Sequence, residues 1–405
     1  MKKTFHFPKK EKLCILSLGA ESAGRFVVYD NGKISISENF GDLIEENNFK
    51  TFKKAVLSQI KTKKPNVILT DLHPLYNSTI LGHKLSEKLK VSHIKVQHHI
   101  AHIFSAVGNY IFESKAVDKN NLLPDTFYGI ASDGTGYGFD GNIWGGEVFK
   151  IESQKSKVEN YNSKSQINNS QNLIIQRIGS LEEQTMIGGD LAVKEPARML
   201  ISILSKFLSK EKVYINVKKF YTKNEFELLF SQLQQNFNCQ KTTSTGRILD
   251  TVSVLFGFAK NERKSKHEAT KFLEENSTIP YKDYKLQIKN PACKLRSYEL
   301  QKVLDTTYLF KHLLKNIDKD KRRLAATAQE YIAKGFYEIV KEAKLPARSL
   351  ISTSKNIPNT YFAGGMANNK NISSYLENKG VYTSKKIPRG DEGIAFGQIV
   401  FYILN

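Results

Sequence analysis

Within Val96-Gln97-His98-His99-Ile100-Ala101-His102, two histidines stand four residues apart. On an α-helix that spacing stacks His98 and His102 on one face, a turn apart, as two imidazoles must be to grip one metal ion. The local density is well above scatter, since five of the nine histidines fall between His83 and His102. About thirty residues on, Ala131-Ser132-Asp133-Gly134-Thr135-Gly136-Tyr137-Gly138 sets an aspartate at the end of a short apolar run. There a strand is expected to hand over to a glycine-rich turn, and a carboxylate would complete a mixed nitrogen and oxygen shell. Asp391 also ends a turn segment beside glycines. Two histidines with carboxylate suit zinc, iron or manganese.

Two glycine pairs suggest a nucleotide beside the ion. Gly364-Gly365-Met366-Ala367-Asn368-Asn369 follows a strand-like run and precedes Ile372 to Leu376, which reads as a helix start. Paired glycines let backbone approach a nucleotide, and a helix N-terminus favours an anion. In Gly188-Gly189-Asp190 the aspartate would bind a ribose hydroxyl or cap the following helix. No Walker-type loop occurs, which excludes that class of nucleotidase, and no nucleophile elbow of the α/β-hydrolases is present. The three cysteines, Cys14, Cys239 and Cys293, form no close pair. That argues against a disulfide framework, a zinc ribbon or a dithiol redox site. Cys14, inside Leu13-Cys14-Ile15-Leu16, reads as a buried thiol rather than a nucleophile. The residues together point to a metal- and nucleotide-dependent transferase.

The elements that must position these groups come in a repeated order. Leu13 to Gly19 is an apolar run, followed by Arg25-Phe26-Val27-Val28-Tyr29, a turn at Asp30-Asn31-Gly32-Lys33, and Ile34-Ser35-Ile36-Ser37. Two runs joined by Asn-Gly are a strong hairpin signal. About 115 residues later, Tyr128 to Ser132, the Asp133 turn, Asp140-Gly141-Asn142 and Ile143 to Phe149 repeat the layout. This predicts a pseudo-duplicated α/β fold with its ligand between the copies. Phe49 to Lys61 reads as an amphipathic helix, and Asn66 to Thr70 as a buried strand with Asp71-Leu72-His73-Pro74 at its C-terminal end. Open α/β sheets carry their ligand residues at that end. Residues 152 to 173 read as an exposed loop or elongated hairpin, Asp190 to Leu345 as mostly helical, and Thr360 to Ala363 as a last strand. The expected division is a tail over 1–11, a first subdomain over 12–125 and a second over 126–405, with the helical region at about 185–345.

The chain of 405 residues is 40% hydrophobic and 25% charged, an ordinary globular composition, with no run long enough to span a membrane. Its basic start, Met1-Lys2-Lys3, is not followed by an apolar stretch, so no secretory signal is expected and cytoplasm is the default. The net charge of +21 would suit nucleic acid or an acidic partner. Lysine is spread over every segment, however, and the basic runs at 260–266 and 319–323 lack interleaved aromatics.

Several of these motifs resemble one family. Asp71-Leu72-His73-Pro74 with Tyr76, Ser78 and Thr79 is similar to the D-L-H-P-x-Y-x-S-T segment of the HypF carbamoyltransferases of nickel–iron hydrogenase maturation. His98-His99-Ile100-Ala101-His102 resembles their H-H-H-A-H, Asp133 to Gly138 their D-G-T-G-Y-G, and Trp144-Gly145-Gly146-Glu147 their W-G-G-E. Gly188-Gly189-Asp190 with Glu195, Pro196 and Arg198, Ser244-Thr245-Gly246-Arg247 with Asp250, Gly364-Gly365 with Asn369, and Asp391 with Gly393, Gly397 and Gln398 continue the match in order. It runs from about Leu13 to the C-terminus and covers the TsaD-like domain of HypF.

The resemblance implies a duplicated actin-like, sugar-kinase-like fold of the ribonuclease H-like kind, with a largely helical insertion. It implies that His98, His102 and Asp391 bind a divalent metal (zinc, iron, manganese or magnesium), with Asp133 a ligand or adjacent, and His98 and Asp133 at the chemistry. Gly188, Gly189, Asp190, Glu268, Gly364, Gly365 and Asn369 would line the site for ATP, AMP or carbamoyl-adenylate. The implied reaction moves a carbamoyl group from carbamoyl-adenylate to the C-terminal cysteine thiol of a HypE-type protein. The middle histidine of the family motif is here Ile100, and Y-E-G-Q is here His267-Glu268-Ala269-Thr270. The sequence shows no counterpart of the YrdC-like adenylating domain, so a separate YrdC-like protein is the expected donor source. Two alternatives stand beside this reading: a TsaD-type transferase acting on tRNA, and a non-catalytic nucleotide-binding scaffold.

Overall fold

A computed structural model of the chain describes residues 3–114, 122–154, 173–290, 302–344 and 359–405. The first lobe runs β1 (Lys3–His6), β2 (Cys14–Ser17), β3 (Val27–Asp30), β4 (Lys33–Ile36), α1 (Glu46–Thr62), β5 (Val67–Asp71), α2 (Asn77–Leu89), β6 (Ser92–Val96) and α3 (His98–Glu113). Its six strands lie in the order β1-β4-β3-β2-β5-β6. β2, β3 and β4 form an antiparallel meander, and β5 and β6 extend it in parallel. The β3–β4 turn has both Asn31 and Gly32 at positive φ, as a two-residue hairpin loop requires. Residues 3–6, expected as tail, instead form the edge strand β1 on β4. Phe7 behind it is buried, which offsets the cost of ordering that segment.

The second lobe begins β7 (Thr126–Tyr137), β8 (Ile143–Ser153), β9 (Leu173–Leu181) and β10 (Gln184–Ile187). A helical insertion follows, with α4 (Leu191–Lys194), α5 (Ala197–Ser205), α6 (Lys210–Val217), α7 (Lys223–Gln234), β11 (Cys239–Thr242), α8 (Thr245–Phe256) and α9 (Glu268–Glu275). The insertion continues with β12 (Ile288–Lys289), β13 (Lys302–Leu304), α10 (Thr306–Lys315) and α11 (Lys321–Lys344). The lobe closes with β14 (Thr360–Ala363), α12 (Lys370–Glu377), β15 (Tyr382–Thr383) and α13 (Ile394–Leu404). In its sheet, β9-β8-β7 is an antiparallel meander and β14 and β15 continue it in parallel. The order 4-3-2-5-6 of the first sheet and 9-8-7-14-15 of the second is therefore one pattern used twice. The duplicated actin-like α/β fold with a helical insertion follows from that repeat.

One further expectation changes. Thr360 to Ala363 is not the last strand, because the two-residue β15 pairs beside it. The stretch 155–172, most of the expected polar loop or hairpin, and Cys293 lie outside the described residues.

The closing helices of the two lobes, α3 and α13, pack against one another. α3 is buried on nearly all sides, as expected of a core helix that is apolar all round. Phe104, Phe127, Tyr361, Phe396 and Val400 form one core across the lobes. Each such buried side chain contributes roughly 1.5–3 kcal/mol. The contact is close enough to require glycine: a Cβ on Gly397 would lie 1.8 Å from the Ala101 carbonyl oxygen. This seam fixes the height of the histidine face of α3 against the start of α13.

Candidate metal and nucleotide site

α3 starts where Gln97 caps it: Gln97 Oε1 accepts the Ile100 N–H at 3.0 Å. Gln97 Nε2 also donates to the Tyr137 carbonyl at 3.1 Å and meets His99 Nδ1 at 2.9 Å. That start aims His98 and His102 at Asp133 and Asp391, and His99 at the hairpin of β7 and β8. His99 is wholly buried, and its burial together with the neighbouring His98 pushes it well below the usual imidazole range. It is a neutral packing residue beside the site.

Asp133 arrives differently from the expectation. β7 does not end before it but runs on to Tyr137, with a register shift between Ser132 and Gly136. Ser132 pairs with Gly146 and Gly136 with Trp144, so three residues bulge opposite Gly145. A Cβ on Gly145 would lie 2.6 Å from the Asp133 carbonyl oxygen, which explains the glycine there. The bulge turns the Asp133 side chain to the histidines. Asp391 comes from the short 3₁₀ turn Asp391–Gly393 ahead of α13.

The four groups meet. His98 Nε2 lies 3.3 Å from Asp133 Oδ2 and 3.8 Å from Asp391 Oδ1, and His102 Nε2 lies 3.6 and 3.5 Å from the same atoms. A tetrahedral ion with ligand bonds of about 2.0–2.1 Å would have ligand–ligand edges of about 3.4 Å. Neither ring nitrogen of the buried His102 has a hydrogen-bond partner among the described residues. The donor set and its spacing therefore fit a divalent cation. Among the described residues this is the one such group of histidine and acidic side chains.

Three of the four side chains, His98, Asp133 and Asp391, are oriented from behind. His98 Nδ1 donates to Asp71 Oδ2 at 2.8 Å, which leaves Nε2 facing the cluster. Asp71, at the end of β5 and fully buried, is held by the His73 N–H at 3.0 Å. Asp133 Oδ1 accepts the Gly365 N–H at 2.9 Å, and Asp391 Oδ2 accepts from the Ser22 hydroxyl. Burial opposes a charge on His98, but Asp71, Asp133 and Asp391 outweigh it and hold the imidazole well above its usual range. His102 is likewise raised, since Asp133 and Asp391 overcome its burial. Burial alone would raise the Asp133 carboxyl, yet His102 and His98 hold it well below the ordinary range. His98, His102 and Asp133 are buried, while the Asp391 side chain is 24% exposed and marks the open side.

The expected nucleotide residues fall less uniformly. Gly364, at φ +101°, has no room for a Cβ against the Ser132 backbone, and one on Gly365 would lie 2.7 Å from Asp133 Oδ1. The Gly-Gly turn therefore abuts the cluster. Gly188 and Gly189 both have positive φ and lead to Asp190, which is exposed at the start of α4 with no capping bond from its side chain. Glu268, half-buried at the start of α9, accepts the Lys264 N–H at 2.7 Å. Asn369 is buried with both ends engaged: Oδ1 caps α12 through the Ile372 N–H at 3.0 Å, and Nδ2 donates to Gln329 at 2.8 Å. It is not presented as a free contact. The role of Asp71 was missed from sequence, although its place at a strand C-terminus was a usable signal.

Comparison with known proteins completes the description. Residues 129–398 match the family model described as "Carbamoyltransferase, Kae1-like Domain, second subdomain", and residues 10–109 match "HypF Kae1-like domain". The probable carbamoyltransferase HypF of Methanocaldococcus jannaschii is 35% identical over 96% of this chain and 46% of its own length. A carbamoyltransferase HypF homolog of Cupriavidus necator is 23% identical over 95% of this chain and 90% of its own length. The crystal structure of T. kodakarensis HypF superposes with a TM-score of 0.76 at 27% identity, covering 99% of this chain and 48% of that one. Full-length HypF in a phosphate- and nucleotide-bound form superposes with a TM-score of 0.79 at 24% identity, over 99% and 57%. The chain thus spans about half the length of several of these relatives. No helix among the described residues is long and apolar enough to cross a membrane.

Proposed function

From the chain's membership of the HypF Kae1-like carbamoyltransferase-domain family, we propose that it transfers a carbamoyl group from carbamoyl-adenylate to an acceptor thiol, the C-terminal cysteine of a HypE-type protein. The observation that carries this reading is the cluster of His98, His102, Asp133 and Asp391 with ligand atoms within 4.8 Å of one another. The acceptor sulfur, as thiolate, attacks the carbamoyl carbon; the S–C bond forms as the C–O bond to the phosphate breaks, and the electron pair leaves with AMP. The thiol proton passes to solvent. Because the acceptor brings the nucleophile, this chain needs no reactive cysteine, and burial raises the thiol of Cys14.

His98, His102, Asp133 and Asp391 would hold a divalent ion. That ion would stabilise charge on the carbonyl or phosphate oxygens as the mixed anhydride opens. Asp71 would keep His98 in the ligating tautomer, and the Gly365 N–H would keep one oxygen of Asp133 occupied so that the other faces the ion. The Gly364-Gly365 and Gly188-Gly189-Asp190 turns would seat the nucleotide, with donor supplied by a YrdC-like adenylating protein.

The test is mass spectrometry of a HypE-type C-terminal cysteine peptide after incubation with this protein and carbamoyl-adenylate. The expected result is a metal-dependent carbamoyl adduct on the thiol, absent in a His98→Ala/His102→Ala variant. An adduct that the double variant forms equally well would sink this reading.

A further inference from the structure

Arg247 stands on the first turn of α8, 6% exposed, and its charge is only half accounted for. Nη1 donates to Asp250 Oδ2 at 2.8 Å. Nη2 reaches Thr135 Oγ1 only at 3.5 Å, the limit of a hydrogen bond, and Nε is buried with no partner among the described residues. Asp250 is itself shared: Oδ2 also takes Arg263 Nη1 at 3.3 Å, and Oδ1 accepts the Thr270 hydroxyl at 2.7 Å. Two guanidinium groups thus share one carboxylate as their hydrogen-bonded partner, with both side chains largely out of water. Burial lowers the affinity of Arg247 for its proton even with Asp250 beside it. Such an arrangement is costly unless an anion completes it.

The location says which anion. A Cβ on Gly134 would lie 3.3 Å from Arg247 Nη2, so the guanidinium borders the bulge that carries Asp133. The Ser244 hydroxyl, which caps α8, bonds the Asp133 and Gly134 carbonyls at 3.1 and 2.7 Å. Asp190, at the Gly-Gly turn expected to take the ribose, acts electrostatically on Arg247, as does Asp133. An acyl-adenylate has its phosphate between acyl group and ribose, the same order as cluster, Arg247 and Asp190. The first turn of a helix adds its own partial positive charge.

We propose that Arg247 binds the phosphate of the adenylate, with Asp250 as the positioning residue that holds Arg247 and Arg263 in place. This deepens the function proposed above and rests on its nucleotide site. Asp250 fixes the plane of the guanidinium through Nη1, and Nη2, which borders the Asp133 bulge, is the group that would meet a phosphate oxygen.

Calorimetric titration of chelator-treated protein with AMP and, separately, adenosine tests this without the ion's own phosphate contact. Wild type is expected to prefer AMP, and Arg247→Met to lose about 10- to 100-fold in AMP affinity, the size of one charge-assisted hydrogen bond, with adenosine binding unchanged. Arg247→Lys should recover part of the loss, and Asp250→Asn should weaken AMP selectively. Equal losses for AMP and adenosine would show a structural role and overturn the proposal. Should Arg247→Met fail to fold, Arg247→Lys decides on the same ratio. A wild type that carbamoylates the thiol peptide but binds AMP no better than adenosine overturns the phosphate assignment alone. One that binds neither nucleotide and transfers nothing overturns both.

Discussion

At the scale of residues, the ligand cluster depends on a carboxylate that would not touch the ion. Asp71 holds His98 through Nδ1, so removing its charge while keeping its shape isolates that effect. Asp71→Asn should retain the fold but weaken metal binding about 10- to 100-fold, measured by competition with a chromophoric chelator. Unchanged affinity would show that α3 alone fixes the ring. The histidine pair was legible because helical spacing is a local property: positions four apart share a face whatever surrounds them. Asp71 was harder to read, because its contact with His98 spans 27 residues. The bond from the Gly365 N–H to Asp133 crosses 232 residues, and no local pattern records such a pairing. Asn369 shows the converse, since an asparagine after two glycines fits a ligand contact and a helix cap equally well, and the backbone here uses it as the cap.

At the scale of elements, the Asn31-Gly32 hairpin and the strand at 67–71 were readable because turn chemistry and apolar runs are local signals. The bulge at Asp133 was not, because glycines that end a strand and glycines that let it bulge look alike until the partner strand is known. The two-residue β15 is too short to carry a period at all. Within the helical insertion, Glu182 ties β9 to the start of α10. It accepts the Thr307 N–H at 2.7 Å and the Lys206 ammonium at 3.1 Å. Burial would raise its carboxyl, but Lys206 and the Thr307 bonds hold it below the ordinary value of 4.5. A carboxyl depressed in the folded state adds stability above its unfolded pKa and loses it as pH falls through the folded one. Glu182→Gln should therefore cost about 1 kcal/mol near neutrality. That deficit should shrink as pH drops below about 4.5, read from urea unfolding across a pH series. A deficit that stays constant with pH would assign the effect to shape rather than charge.

At the scale of the molecule, the cluster ties the two lobes together. His98 and His102 belong to the last helix of the first lobe, and Asp133 and Asp391 to the second. An ion bound there stabilises the folded pair by about 2.7 kcal/mol when present at a hundred times its dissociation constant. Chelation should lower the Tm of wild type and leave that of His98→Ala/His102→Ala unmoved; an equal drop in both would place the stabilising ion elsewhere. The duplication was anticipated from the recurring turn-and-strand layout, which each lobe carries within its own segment. How the lobes face each other was not, because it is decided by the α3–α13 seam, whose partners lie about 300 residues apart. That seam has a mechanical consequence. With Gly397 against the Ala101 carbonyl, and Phe396 and Val400 against Gly108, one helix has no groove along which to slide past the other. Shear is blocked and rotation about the crossing is left. Ala101 adjoins His102, so the ion would sit at the fulcrum, where a swing of the lobes displaces atoms least.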